Sequence, residues 1–238
     1  MGPVPKNISP MFAKWLYGKR KMPLSYAAIC FDLDGTLVDS EGDAADAIEL
    51  ALAPLHRVLR KTERDYVLGH GMAEIHALIQ TGGGVPWSYA EFEEAVFAAR
   101  LVLAQTRGVC VLPGAREVVA KLARHFPLAL VTGSTRKEAE WLLDELGIRA
   151  CFSVSCCSGE YPAGKPSPWP YLSAAQSLGV PPSHCVAAED SEAGILSARG
   201  AGMRCAAIAA GNRFNQDQTQ ADWIFPTLND FADLVLKN

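Results

Sequence analysis

The chain has 238 residues, 49% of them apolar and 20% charged, with a net charge of −4 at pH 7. That composition supports one or two domains with a sizeable core. It argues against a nucleic-acid partner held by a large basic surface, and no apolar run approaches the roughly 20 residues that span a bilayer, so no membrane is expected. The seven cysteines are odd in number and form no Cys-x-x-Cys pair, and no His completes a zinc pattern near Cys151, Cys156 and Cys157. They read as reduced thiols of a cytoplasmic protein.

Residues 1–26 contain no acid, and Lys14 interrupts the apolar patch of Met11, Phe12, Trp15, Leu16 and Tyr17. A secretory signal is not expected there; the segment reads as an N-terminal extension. Ala27 to Phe31 is an apolar run that predicts a buried strand. Asp32 and Asp34 follow on one side of it, because a strand alternates its faces, and Asp34-Gly35 makes a turn. Two carboxylates therefore stand at the carboxyl end of a strand, where open α/β sheets bind ligands.

From Glu41 to Leu59 the pattern predicts a helix that Pro54 kinks or ends. Val67 to Gly71 is a loop that opens a helix from Met72 to Gln80. Ser88-x-x-Glu91 is a capping box for a helix running to about Gln105. Residues 42–110 thus form an all-helical insert. The remainder alternates strand and helix, the pattern of a parallel sheet. Strands are expected at 127–131, 152–156, 185–188, 204–209 and 223–225, and helices at 115–125, 136–146, 170–178, 192–199 and 228–236. The fold class is α/β: a doubly wound, Rossmann-like parallel sheet built from 27–41 and 111–238, carrying the helical insert.

Polar clusters follow several of these apolar runs. Beyond Asp32 and Asp34 there are Thr132-Gly133-Ser134, Gly164-Lys165-Pro166 and Glu189-Asp190. Singly, each has an ordinary reading: a helix cap, a solvated lysine, acids complementing a helix dipole. Together and in this order they resemble the haloacid dehalogenase-like superfamily, from about Ala27 to Phe225, and the insert resembles its helical cap. The resemblance implies that Asp32 is a nucleophile forming an aspartyl-phosphate, and that Asp34 protonates the leaving group and later activates water. It implies that Thr132, Gly133 and Ser134 hold phosphate oxygens, and that Lys165 braces nucleophile and phosphate. Pro166, Pro168 and Pro170 around Trp169 depart from the expected loop.

If Asp32, Asp34, Glu189 and Asp190 converge, each like-charge pair near 4 Å costs about 4 kcal/mol at an effective dielectric of 20. A divalent cation offsets that repulsion, and all-oxygen ligands suit Mg²⁺. The expected ligands are Asp32, the backbone carbonyl of Asp34, and Asp190, with Glu189 binding directly or through water.

Asp34 favours phosphate-ester chemistry within the family. Glu189-Asp190-Ser191, Gly194 and Ala201-Gly202-Met203 resemble the β-phosphoglucomutase and sugar-phosphatase branch. Leu37 to Ser40 and Gly69-His70-Gly71 resemble phosphoglycolate phosphatases. The mutases use a His after the first cluster and an Arg in the cap. Here the chain reads Asp43-Ala44-Ala45-Asp46, with no Lys or Arg between Arg64 and Arg100. A Mg²⁺-dependent phosphatase of a small phosphorylated metabolite, a sugar phosphate or a phosphoglycolate-like acid, is therefore expected. The alternatives are a sugar phosphomutase and a catalytically quiet binding protein of the same fold. His70 is either a substrate contact or a loop residue without a special task. The expected state is a monomer or a weak homodimer.

Overall fold

The computed structural model describes residues 26–67, 71–212 and 215–237. They fall into two compact units, one made of the residues up to Leu37 with those from Leu112 onward, the other of Val38–Val111. Among the described residues, no helix is long and apolar enough to cross a membrane.

The first unit is a six-stranded parallel sheet: β1 (Ala28–Phe31), β2 (Leu128–Val131), β3 (Val154–Cys156), β4 (Cys185–Glu189), β5 (Arg204–Ile208) and β6 (Trp223–Phe225). The strand order is β3-β2-β1-β4-β5-β6. Every residue of β1, β2 and β4 is buried. Their unbroken apolar runs are what a sheet covered on both faces requires. One face is small: Ala28, Cys30, Ala187 and Cys205 pack with Tyr171 and Ile195. The other carries Phe31, edge-on to Phe152 and Phe231.

The helices of this unit, numbered in chain order over both units, are α5 (Ala115–Leu122), α6 (Arg136–Leu146), α7 (Trp169–Leu178), α8 (Glu192–Gly200) and α9 (Leu228–Leu236). Thr135, Ser191 and Thr227 cap α6, α8 and α9 by accepting from Glu138, Gly194 and Asp230 N–H groups. β3 starts two residues later than expected because Arg149–Cys151 form a 3-10 turn, with Phe152 N–H returning to Arg149 O.

The second unit holds α1 (Glu41–Leu52), α2 (Lys61–Val67), α3 (Met72–Thr81) and α4 (Tyr89–Arg107). α1 stops well short of Leu59. Pro54 lies in a 3-10 turn, Ala53–Leu55, and His56 then takes a left-handed conformation at φ 52°. The short α2 has too few turns to show a periodicity in sequence. Ile48, Leu52, Ile79, Phe92 and Val96 form this unit's core, and His76 packs its ring on Phe92. Glu63 is buried within it, bonded to Arg57 Nη2 at 2.9 Å and to Arg60 Nη2 at 2.7 Å. Arg64 pairs with Asp46 and Glu49, and Arg107 with Asp43 and Asp46.

Candidate active site

Phe31 of β1 sits in register with Ala188 of β4, and Asp32 N–H continues the ladder to Ala188 O at 3.0 Å. Asp32 therefore leaves the sheet beside Glu189, at the point where strand order reverses and ligands of such sheets lie. Asp32 is 5% exposed, Asp190 3% and Glu189 0%. The turn that follows is tight. Gly35 has φ +83°, and a Cβ there would collide with the Asp190 carboxylate. Gly194 likewise lets the first turn of α8 lie against the Glu189 carboxylate.

Lys165 reaches into this corner from the loop before α7. Its Nζ donates to Asp32 Oδ1 at 2.6 Å, to Glu189 Oε1 at 2.5 Å and to Val131 O at 3.1 Å. Tyr171, fully buried on α7, donates its hydroxyl to Glu189 Oε1 at 2.7 Å, and its ring lies 5.4 Å from Nζ. Glu189 Oε2 accepts from Ser191 Oγ at 3.1 Å and Asp190 N–H at 3.2 Å. Thr36 donates to Asp190 Oδ1 at 2.9 Å.

The end of β2 supplies the hydroxyls. Ser134 Oγ and Thr132 Oγ1 donate to Asp34 Oδ2 at 2.7 and 3.2 Å, and Ser134 N–H turns back to Thr132 Oγ1. Capping α6 falls to Thr135, so neither Thr132 nor Ser134 is spent on it. Tyr161 OH donates to Thr132 O at 2.8 Å. Nothing lies within 4 Å of a Cβ placed on Gly133.

Burial dominates the electrostatics. It pushes the Asp32 carboxyl up to about 8; Lys165 pulls it down, and Glu189 and Asp34 push it further up. Asp190 is also raised well above the carboxylate range, by burial and then by Asp32 and Glu189. Burial works against the Lys165 ammonium, but Asp32 and Glu189 outweigh it and raise its pKa. Lys165 stays charged.

One oxygen each from Asp32, Glu189 and Asp190 lies within 4.8 Å of the others. That donor set is all carboxylate, and once the three acids ionise Lys165 balances only one of their charges. A hard divalent cation fits it. Among the described residues no buried side-chain nitrogen or oxygen lacks a hydrogen-bond partner.

The structure brings Asp32, Asp34, Thr132, Ser134, Lys165, Glu189 and Asp190 into one corner of the sheet unit, with Gly133 in the β2 loop. His70 lies outside the described residues. Sequence reasoning missed Thr36, Tyr161 and Tyr171. Tyr171 had a signal, a hydroxyl on the core side of the helix that follows Lys165.

Residues 26–202 match the family of haloacid dehalogenase-like hydrolases. The chain is 30% identical to the bifunctional riboflavin kinase/FMN phosphatase of Arabidopsis thaliana over 86% of its length, and spans about half (54%) of that protein. It is 34% identical to the fructose-1-phosphate phosphatase YqaB of Escherichia coli, covering 75% of this chain and 94% of that one. The crystal structure of CbbY from Rhodobacter sphaeroides in complex with phosphate superposes with a TM-score of 0.77 at 27% identity, covering 85% of this chain and 95% of that one. The geometry and the match over most of the chain lead to one conclusion: this protein belongs to the haloacid dehalogenase-like hydrolases.

Proposed function

We infer that the chain is a Mg²⁺-dependent phosphatase that hydrolyses a small phosphate monoester, a sugar phosphate or a phosphoglycolate-like acid, through Asp32. The observation that carries this reading is Lys165 Nζ at 2.6 Å from Asp32 Oδ1, among three buried acids that one lysine does not balance once they ionise. With Oδ1 held, the other carboxylate oxygen of Asp32 attacks phosphorus, and the ester P–O bond breaks. Asp34, oriented by Ser134 and Thr132, gives its proton to the departing alkoxide. Asp34 then takes a proton from water. The water oxygen bonds to phosphorus as the Asp32–phosphorus linkage breaks, and phosphate leaves.

Asp32, Asp190 and the backbone carbonyl of Asp34 would hold Mg²⁺. Glu189 already accepts from Lys165, Tyr171 and Ser191, so we assign it chiefly to holding Lys165, with a contact to the ion through water. The cation, when bound, neutralises charge on the carboxylates and on the phosphoryl oxygens. We assign Thr132, Gly133 and Ser134 to the phosphoryl oxygens, toward which the two hydroxyls turn from Asp34 as the phosphoryl group enters, and leave to His70 a substrate contact. The helical unit is proposed as the family's cap. Its Arg64 and Arg107 are engaged by Asp43, Asp46 and Glu49, which favours a phosphatase over a mutase that must grip a second phosphate. All seven cysteines are free thiols, which suits a cytoplasmic setting.

Phosphate release measured across sugar phosphates, phosphoglycolate and nucleotide monophosphates tests the reading. Release that needs Mg²⁺ and stops with EDTA is expected. A protein that releases phosphate from no ester in the panel is a binding protein instead.

A further inference from the structure

Gln218 lies in the connection between β5 and β6, outside every cluster that the sequence singles out. It is nevertheless 7% exposed. Its Nε2 donates to Asp190 O at 2.6 Å and points toward Ile208 O at 3.5 Å. These carbonyls stand just past β4 and at the last residue of β5, where the sheet ladder ends and buried carbonyls need other donors. An amide nitrogen carries two hydrogens and can serve both.

The same connection closes on Asp190 elsewhere. A Cβ on Gly211 would collide with the Gly35 carbonyl and lie 3.1 Å from Asp190 Cβ. Gln216 Oε1 accepts from Glu192 N–H at 3.0 Å, two residues beyond Asp190. Asp190 is thus held by its N–H on Glu189, its carboxylate on Thr36 and its carbonyl on Gln218.

We propose that Gln218 is a positioning residue for the divalent cation: its grip on the Asp190 carbonyl fixes the direction in which the Asp190 carboxylate faces Asp32. The proposal rests on the metal-dependent reading above. Gln218 donates no hydrogen bond to the three carboxylates that define the acidic cluster, so its influence on an ion runs through the Asp190 backbone. Groups that orient metal ligands in this way typically change metal affinity by about 10- to 100-fold when removed.

The test is Mn²⁺ binding to the full chain, followed by electron paramagnetic resonance of the free ion. Gln218→Met keeps the length and bulk of the side chain and removes the donor. The expected result is a Mn²⁺ dissociation constant raised by about 10-fold or more. The metal concentration for half-maximal phosphate release should rise in parallel, while KM for the ester at saturating metal stays within about twofold. A purely structural role would lower the melting temperature in EDTA and leave Mn²⁺ affinity alone, and that result overturns the proposal. Should Gln218→Met not fold, Gln218→Asn, whose donor is withdrawn by one methylene, decides by the same criterion. If the unaltered protein takes up no Mn²⁺, the metal-dependent reading falls and the proposal with it. If it does and the variant binds equally well, the proposal alone falls.

Discussion

Each unit of the molecule buries carboxylates, and the two treat them differently. In the helical unit Glu63 is 2% exposed and takes hydrogen bonds from Arg57 Nη2, Arg60 Nη2 and Arg60 N–H. Burial alone would raise its carboxyl, but the Arg60 bonds and the Arg57 charge hold it below the usual range. In the sheet unit Lys165 is shared between Asp32 and Glu189, and Asp190 stands beside them. There the Asp32 and Asp190 carboxyls are raised, by burial first. A buried charge is costly unless paired. The helical unit neutralises its acid for the sake of its own packing. The sheet unit keeps an excess of acid that its packing does not need, and such an excess suits the cation and phosphoryl group proposed for it.

The sharpest way to break this contrast is to remove the excess. Asp32→Asn should lower phosphate release by at least about 1,000-fold, because the proposed nucleophile is gone. In the metal-free protein the same change should raise stability by about 1 kcal/mol, or roughly 2–4 °C of melting temperature for a chain of this size. Activity and stability move in opposite directions. A variant that lost both together would behave like a broken structural contact, and the contrast with Glu63 would disappear.

Removing the metal tests the same point through pH. Asp32 has a folded value of about 8 against an ordinary 3.8. Between those values the folded chain binds more protons there than the unfolded chain, so unfolding releases protons and rising pH favours it. The stability associated with Asp32 is complete below about pH 4 and is lost as pH climbs through 8. Glu63 has the opposite sign: its contribution holds above the ordinary carboxylate range and is lost in acid. Melting curves in EDTA from pH 5 to 9 should therefore fall with pH. Mg²⁺ should restore stability most at the alkaline end, since the ion competes with protons for the carboxylates. A metal-free protein whose stability climbs steadily to pH 9 would contradict the assignment.

Glu63→Gln is the counterpart in the helical unit. Its partners differ in exposure, Arg57 at 16% and Arg60 at 58%, so the Arg60 contact is screened and the Arg57 contact carries most of the effect. Arg57 would keep the carbonyls of Ile79 and Gly84 and lose its counter-charge. The expected cost is about 2 kcal/mol, read from the urea midpoint. A stability gain would mean that Glu63, like Asp32, belongs to an excess.

Much of this was legible in sequence where chemistry and chain punctuation coincide. Asp32, Asp34, Thr132, Lys165, Glu189 and Asp190 each follow an apolar run or sit in the loop before a helix, and parallel strands bring such ends to one side. The strands read easily because burial on both faces leaves uninterrupted apolar runs. α2 was not legible, since seven residues of mixed polarity carry no periodic signal. Nor was Glu63, whose role depends on Arg57 reaching back from the preceding turn. Gln218 and Tyr161 were invisible for a related reason: they act on backbone carbonyls, and a carbonyl leaves no mark on the residue that supplies it.

Tyr171 offers the finest division between the two kinds of buried acid. Its hydroxyl and Lys165 Nζ meet the same oxygen, Glu189 Oε1, at 2.7 and 2.5 Å. Tyr171→Phe removes that donor and keeps the ring beneath Nζ. Glu189 Oε1 then draws harder on Lys165, at the expense of the 2.6 Å bond to Asp32. A hydrogen bond to a charged group contributes about 1.5–3 kcal/mol, but Lys165 remains to absorb part of the loss. A fall of kcat by about 3- to 10-fold is expected, with KM little changed, because an interaction that steadies the proposed nucleophile has been loosened. If Glu189 were a structural acid of the Glu63 kind, the variant would lose stability and keep its kcat. The ratio of those two losses therefore measures how far the lysine that steadies Asp32 depends on the acid behind it.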